Sequence, residues 1–159
     1  MKLNILSDLH LSRDAMAVPR NDADVVILAG DIARPKEAVS WALEFARPVL
    51  YVAGNHEFYG DSIVGATGTL KRLCYGTNIH VLDNDQVVIN GVRFLGTTLW
   101  TDFMLWGDGE KRARAMQEAQ RFMRDFSAIH VEEPDSRLFT PDDAAALCRA
   151  NAHWIEERL

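Results

Sequence analysis

Short apolar runs alternate with helical patterns over the first half of the chain. Pro35 is well placed in the first turn of a helix, and apolar residues follow it at helical spacing until the chain approaches Pro48. A second helix is predicted over residues 62–75. Strands followed by helical patterns of this kind predict βαβ units. The three strand-length runs of this half span residues 3–6, 24–29 and 49–53.

The middle of the chain is predicted to be β-rich. Asn90-Gly91 is a strong hairpin signal, because both residue types tolerate the positive φ of a tight turn. The short strands predicted here span residues 79–82, 86–89 and 92–96. Every predicted strand lies before residue 97, so one sheet is accounted for and any second sheet is expected to be missing.

Two helices are predicted to close the chain. The first covers residues 109–126, where five apolar side chains recur at helical spacing. The second begins at Thr140, because a threonine followed by proline and two acidic residues is typical of a helix N-terminus, and it runs nearly to Leu159. No capping glycine or further strand follows it, so the chain looks truncated at its C-terminus.

The three strands of the first half each end in a polar cluster. One cluster alone is a weak signal: Gly30-Asp31 also fits a turn followed by a helix cap, and Asn55-His56 also fits a polar turn. The three clusters in order are far more specific. Ligands bind beyond the carboxyl ends of the strands in such sheets, so we predict one metal pocket there. The clusters are Asp8-Leu9-His10, Gly30-Asp31 and Gly54-Asn55-His56-Glu57.

Composition limits the classes of protein to consider. The 159 residues suit one domain, and an apolar content of 48% argues against disorder. The net charge of −6 gives no basic footprint for nucleic acid, which argues weakly against such a substrate. No apolar run reaches transmembrane length, so no membrane partner is expected. Met1-Lys2 leads straight into a strand that ends in site residues, so we expect no signal peptide and a cytoplasmic location.

Two cysteines, Cys74 and Cys148, lie far apart and form no C-x-x-C pattern. A disulfide or a thiolate ligand is one interpretation. The favoured one is two free thiols in a reducing compartment.

The clusters resemble the first three motifs of the calcineurin-like metallophosphoesterases. The resemblance implies an α/β sandwich of two β-sheets flanked by helices, of which this chain would carry mainly the first sheet and its helices. It implies one phosphoesterase domain over residues 1–159, truncated at the C-terminus. It also implies two divalent metal ions. Mixed carboxylate, amide and imidazole ligands suit manganese, iron or zinc.

The resemblance also implies a role for each residue. Asp8 and His10 would bind the first ion, and Asp31 would bridge both ions. Asn55 would bind the second ion through its side-chain carbonyl. His56 would lie just outside the metal shell as the general acid, a task that suits an imidazole because it titrates near neutral pH. A metal-bound hydroxide would attack phosphorus, since two ions lower the pKa of bound water and clamp the phosphoryl oxygens.

Two later motifs of the family do not occur in these residues. They are a lone histidine after a strand and a Gly-His-x-His turn, and in the family they supply further imidazoles to both ions. The remaining histidines of this chain sit in neither pattern and are interpreted as structural or surface residues. They are His80, His130 and His153.

Three other segments are candidates for contact with the substrate. Residues 96–103 are either a substrate-facing loop or a packed strand edge. Residues 57–59 follow the catalytic turn and are candidates for lining the pocket. Four arginines near the predicted helix form either a substrate-binding patch or, as their interleaved acids favour, a solvated face. They are Arg112, Arg114, Arg121 and Arg124.

The favoured interpretation is a metal-dependent hydrolase of phosphate mono- or diesters. Protein serine/threonine phosphatases of the superfamily follow Gly-Asp with Val-Asp-Arg-Gly, whereas this chain has Ile32-Ala33-Arg34-Pro35. It therefore resembles the small-molecule or general bacterial branch. The alternative is a catalytically incompetent scaffold of the same fold that acts through protein–protein interaction, with self-association through a surface exposed by truncation. A scaffold has no need of all the metal-binding residue types together, so their presence favours the enzyme.

Overall fold

A parallel sheet and an antiparallel hairpin make up the β-structure of the computed structural model, which describes residues 1–132 and 136–159. The parallel sheet has the strand order β1-β2-β3-β4, and the hairpin pairs β5 with β6. The predicted α/β class with two sheets is confirmed. The second sheet, expected to be missing, is present as the hairpin. The strands are β1 Leu3–Leu6, β2 Val25–Ala29, β3 Val49–Val52, β4 Ile79–Val81, β5 Asp85–Ile89 and β6 Val92–Gly96.

Helices connect the parallel strands and follow the hairpin. Helix α1 lies between β2 and β3, and α2 lies between β3 and β4, as the βαβ pattern predicted. A single 3-10 turn, His56–Phe58, follows β3. The helices of the described residues are α1 Pro35–Ala42, α2 Ile63–Cys74, α3 Glu110–Phe122, α4 Asp125–Ala128 and α5 Pro141–Glu156.

Alternate side chains of the central strands point into two different cores. Val26 and Leu28 belong to the larger core, which includes buried residues of α1 and α2. Val25 and Leu50 point to the opposite face, where they pack with hairpin residues such as Phe94. Strands covered on both faces have no polar side to alternate with. This is why β2 and β3 appear in the sequence as continuous apolar runs.

Helix α1 ends at Ala42, six positions before Pro48, although it was predicted to continue nearly to that proline. The chain tightens after Ala42, because the N–H of Glu44 donates to the carbonyl of Trp41 and the N–H of Phe45 to that of Ala42. This turn keeps Phe45 buried against Trp41, with ring centroids 5.2 Å apart, although Phe45 is no longer helical. The predicted apolar face is therefore buried as far as Phe45, whereas Ala46, its last predicted residue, is exposed.

The predicted helix over residues 109–126 is wrong in its last turn, because it breaks into α3 and α4. Met123 has extended dihedrals, with φ −84° and ψ 130°. Helix α3 has no buried residue, and Phe122 at its end is 70% exposed. Beyond the break, Asp125 and Phe126 are 4% and 3% exposed. Because of the break, Asp125 and Phe126 lie in the core rather than on a continuation of the exposed helix α3.

Two local predictions are confirmed. Asn90 and Gly91 both have positive φ in the turn between β5 and β6. Thr140 caps α5 in a reciprocal box, since its hydroxyl accepts from the N–H of Asp143 and the Asp143 carboxylate accepts from the N–H of Thr140.

Both cysteines are free thiols in the structure. Burial raises the pKa of the Cys74 thiol to about 11. Among the described residues, no helix combines the length and apolar character that crossing a membrane requires.

Candidate metal centre

The loops after β1 and β2 run side by side at the carboxyl edge of the sheet. The N–H of Asp8 donates to the carbonyl of Gly30 (3.1 Å), and the N–H of His10 to that of Asp31 (3.0 Å). A third bond joins Leu11 to Ile32 (2.8 Å). These bonds continue the pairing of the strands into the loops. They bring the first two polar clusters of the sequence together.

Three residues of these loops have left-handed backbone. The φ angles of Asp8, His10 and Asp31 are 55°, 47° and 57°. Within residues 1–132 and 136–159, only three other non-glycine residues have positive φ. Such a conformation costs on the order of 1 kcal/mol or more per residue and concentrates at functional sites. The three residues with this strained backbone are ones that we predicted to be metal ligands.

Glycine at position 54 makes room for the side chain of Asp31. A Cβ on Gly54 would lie 2.2 Å from Asp31 Oδ1 and 2.6 Å from its backbone nitrogen. Gly30 has φ +87°, and a Cβ there would lie 2.9 Å from the Cα of Gly54. The loops after β2 and β3 therefore touch backbone to backbone. The Asp31 carboxylate reaches the third cluster through this contact, where it accepts from the N–H of His56 (3.0 Å).

Glu57 lies behind the site and does not line it, contrary to the prediction. It is 1% exposed and accepts four hydrogen bonds. Three come from backbone N–H groups of Asp31 (3.1 Å), Ile32 (2.8 Å) and Gly54 (2.9 Å). The fourth comes from the hydroxyl of Tyr51 (2.8 Å), whose pKa is raised by its burial and by the Glu57 carboxylate. Glu57 thus ties the ends of β2 and β3 together.

A small pocket holds the imidazoles of the site. Donor atoms of His10, Asp31 and His56 all lie within 4.8 Å of one another. The two imidazole rings meet edge to face with centroids 4.5 Å apart. The pocket has a volume of about 140 Å³, and Tyr59 lines it, as predicted. His56, expected just outside a metal shell, is within reach of the same point as His10 and Asp31.

Three arginines add positive charge to this small pocket. Arg13, Arg34 and Arg124 line it together with the imidazoles. The guanidinium carbons of Arg34 and Arg124 lie 5.8 and 5.4 Å from the ring centroid of Tyr59. Arg124 was predicted to belong to a solvated helix face. It lies instead in the break between α3 and α4, beside the site.

A larger pocket opens on the other side of Asp31. Its volume is about 690 Å³, and Asp8, Asp31 and Asn55 line it. Residues 96–101 line it as well, which supports a substrate-facing loop. The same loop is also packed against the protein. The hydroxyl of Thr98 donates to the carbonyl of Ala53 (2.7 Å), and the ring of Trp100 stacks on that of Phe58 with centroids 6.0 Å apart. Both interpretations of this segment therefore apply.

Sequence reasoning missed one residue of the larger pocket, Asp125. Its Oδ1 accepts from the amide nitrogen of Asn55 (2.6 Å) and from the hydroxyl of Tyr59 (2.5 Å). Burial and this carboxylate raise the pKa of Tyr59. The only signal in the sequence was an acid between two predicted apolar positions, Met123 and Phe126.

The four candidate ligands and the candidate acid therefore divide between the two pockets. Asp8 and Asn55 line the larger pocket, His10 and His56 line the smaller one, and Asp31 lines both. The other histidines line neither pocket. They are exposed His80, His130 with its ring nitrogen 2.7 Å from the carbonyl of Ser136, and His153 beside Glu157.

Residues 1–132 match the family model of the calcineurin-like phosphoesterase superfamily domain. The chain belongs to this superfamily. Members of this superfamily typically bind divalent metals. The carboxylate, imidazole and amide groups at the edge of the sheet are a donor set that fits such ions.

A curated relative is similar to part of this superfamily member. It is an uncharacterized protein, L509, of Acanthamoeba polyphaga mimivirus. The two chains are 30% identical over 93 residues, which cover 52% of this chain and 33% of the relative. The chain thus spans about a third of that relative's length.

Proposed function

We propose that this chain hydrolyses phosphate mono- or diesters at a dinuclear metal centre on the carboxyl edge of the sheet. The observation that carries the proposal is the position of Asp31, which lines both pockets. A carboxylate offers two oxygens, so a residue at this junction can serve two ions, one through each oxygen. The contact with Gly54 and the bond from His56 fix this side chain in place.

The assignment of the other ligands comes from the family resemblance, because the two pockets separate Asp8 from His10. By that resemblance, Asp8 and His10 would hold the first ion, and Asn55 would hold the second through its amide oxygen. Manganese, iron and zinc suit this mixture of donors. When bound, such a pair of ions supplies a water of lowered pKa and a clamp for the phosphoryl oxygens.

His56 is proposed to protonate the leaving oxygen. Its backbone is held by Asp31, and its ring lies between His10 and Tyr59 with both centroids 4.5 Å away. Arg13, Arg34 and Arg124 surround the same pocket and are suited to phosphoryl oxygens, because a guanidinium binds them in a bidentate manner. This charge supports a phosphate-ester substrate.

The test compares His56→Ala with the wild type in metal binding and in hydrolysis. We expect His56→Ala to retain two manganese ions per chain but to lose hydrolysis of phenyl phosphate by about 10²- to 10⁴-fold. The loss should be smaller with p-nitrophenyl phosphate, because a good leaving group needs less protonation. Bis(p-nitrophenyl) phosphate reports the diester activity.

Two variants control this test. His80→Ala removes an exposed histidine outside both pockets and should change neither metal content nor rate. Asp31→Asn should lose bound manganese and hydrolysis together. Undiminished activity in Asp31→Asn would sink the proposal, and loss of metal in His56→Ala would make His56 a ligand. A wild-type chain that binds no manganese favours the scaffold alternative.

A further inference from the structure

We infer that Asp125 is a positioning residue that fixes the side-chain amide of Asn55, with its nitrogen held by the protein and its oxygen turned to the larger pocket. The contact joins residues 70 positions apart in the chain. The consequence for metal binding rests on the proposed function. The orientation of the amide itself does not.

Among the described residues, every hydrogen bond of the Asn55 side chain involves its amide nitrogen. Asn55 Nδ2 donates to Asp125 Oδ1 (2.6 Å) and to the hydroxyl of Tyr59 (3.2 Å). The Tyr59 hydroxyl donates in turn to the same oxygen of Asp125 (2.5 Å). Asp125 and Tyr59 are 4% and 9% exposed, so water competes little for these bonds. The three side chains form a closed triangle, in which Asn55 and Asp125 line the larger pocket and Tyr59 lines the smaller one.

The chemistry of the triangle admits one orientation of the amide. The oxygens of a carboxylate accept hydrogen bonds, so Asp125 Oδ1 faces the NH₂ group of Asn55 rather than its carbonyl. The amide is planar, and its oxygen therefore points away from Asp125. Across residues 1–132 and 136–159 no hydrogen bond to Asn55 Oδ1 is found. This leaves the oxygen available for a ligand in the pocket.

The position of Asn55 strengthens the argument. It precedes the 3-10 turn His56–Phe58, where an asparagine side chain would normally cap the first N–H groups. Its side chain makes no such cap. The Asn55 side chain therefore bonds Asp125 instead of capping the 3-10 turn.

Helix α4 is anchored well enough to position a side chain. The N–H of Gly60 donates to the carbonyl of Ala128 (2.7 Å), and the N–H of His130 donates to that of Asp61 (3.0 Å). Phe126 stacks on Phe139 with centroids 5.9 Å apart. These contacts tie α4 to the segment that follows the third cluster. Asp125 is thus fixed relative to Asn55 from both sides.

The first readout uses the metal-free chain. The side-chain NH₂ signals of Asn55 are followed by NMR and are assigned by their absence in Asn55→Ala. We expect slow hydrogen exchange of these protons in the wild type and in Asp125→Asn, which keeps an acceptor oxygen, and fast exchange in Asp125→Ala. Equal exchange in the wild type and in Asp125→Ala overturns the inference, whether or not the chain binds metal.

The second readout is the affinity for manganese, measured by titration calorimetry in a double-mutant cycle. Loss of a residue that orients a ligand typically costs about 10- to 100-fold in metal affinity, so Asp125→Ala should weaken binding by about that factor. In the Asn55→Ala background, the same substitution should change affinity by less than about threefold, because two residues that act through one contact are not additive. Asp125→Asn should restore most of the affinity.

Equal losses in both backgrounds would make Asp125 an independent ligand and overturn the inference. The matched control is Asp143→Ala, which removes a partly buried carboxylate bonded to Arg137 and Thr140 rather than to the site. It should alter stability and leave manganese affinity unchanged. A wild-type chain that binds no manganese but shows the Asp125-dependent exchange would contradict the proposed function and support the inference.

Discussion

Two buried carboxylates support the candidate site and hold different kinds of group. Glu57 accepts hydrogen bonds from three backbone N–H groups and one hydroxyl. Asp125 accepts from two side chains, the amide of Asn55 and the hydroxyl of Tyr59. Glu57 therefore fixes the path of the loops, whereas Asp125 fixes the orientation of one side chain. Loss of Glu57 should appear in folding, and loss of Asp125 in ligand binding.

The comparison separates two levels of preorganisation. Backbone held by Glu57 places Asp31 and the turn that begins at His56, so every candidate ligand on β2 and β3 depends on it. Among the described residues, the hydrogen bonds of the Asp125 carboxylate involve only the side chains of Asn55 and Tyr59, and Asp125 comes from a distant part of the chain. A site built in this way can adjust one ligand without rebuilding its loops. The predictions below test whether the two levels are separable.

Glu57→Ala is expected to have the largest effect on stability. It leaves the N–H groups of Asp31, Ile32 and Gly54 and the buried hydroxyl of Tyr51 without their acceptor. A buried donor left unsatisfied costs about 1–3 kcal/mol, so the free energy of unfolding should fall by about 3 kcal/mol or more. Urea unfolding followed by circular dichroism measures this.

The matched control is Glu37→Ala. Glu37 is exposed and accepts from the hydroxyl of Ser12 outside the core. Its loss should change the free energy of unfolding by no more than about 0.5 kcal/mol. If Glu57→Ala is no more damaging than Glu37→Ala, the loops are held by something other than Glu57, and the first half of the comparison is wrong.

Gly54→Ala is expected to have the next largest effect. The new Cβ would lie 2.2 Å from Asp31 Oδ1, so the carboxylate or the loop must move. Overpacking of this kind typically costs about 1–3 kcal/mol. Because the displaced group is Asp31, manganese affinity should fall as well. Calorimetry on the folded variant measures the affinity, and urea unfolding measures the stability.

Gly68→Ala provides the opposite outcome for the same substitution. A Cβ on Gly68, within α2, meets no atom within 4 Å. Alanine is favoured over glycine in a helix by about 1 kcal/mol, so this variant should be more stable and bind manganese normally. A Gly54→Ala variant that behaves like Gly68→Ala would show that Asp31 does not depend on close approach of the loops.

Much of the site could be predicted from the sequence because its signals are local. Each signal is contained in a short segment. A strand-length run is followed within a few residues by its polar cluster, and two of these clusters begin with a glycine, at positions 30 and 54. The αβ alternation then brings the three clusters to one edge. The hairpin at Asn90-Gly91 and the box at Thr140 were readable for the same reason, since each depends on a few neighbouring residues.

The residues that escaped prediction depend on tertiary contacts. Glu57 has the sequence environment of a pocket residue, and only the 3-10 turn directs it back under the strand ends. Asp125 lies in a helical sequence pattern. The helix breaks at Met123 and so brings Asp125 to the core, but no proline or glycine in the sequence indicates this break. The division of the site into two pockets follows from the side-chain direction of Asp31, which spacing along the chain does not encode.

The smallest effect is expected at Asp143, a carboxylate that bonds neighbours at the start of α5. The hydrogen bond from Arg137 lowers the pKa of Asp143 from 3.8 to about 2, with a smaller contribution from the hydrogen bonds of Thr140. A pKa lowered by folding means that the ionised group stabilises the fold above pH 3.8 and loses this effect as pH falls toward about 2. Asp143→Asn should therefore cost about 1 kcal/mol at neutral pH, as for other lost helix caps.

The difference in free energy of unfolding between the wild type and Asp143→Asn should narrow as pH falls through this window. Measuring the difference cancels the protonation of the site carboxylates, which both proteins share. Manganese affinity at neutral pH should be the same in both. A difference that stays constant below pH 4 would mean that the charge of Asp143 contributes nothing. An altered manganese affinity would mean that carboxylates far from the pockets also tune the centre, and the distinction between Glu57 and Asp125 would lose its meaning.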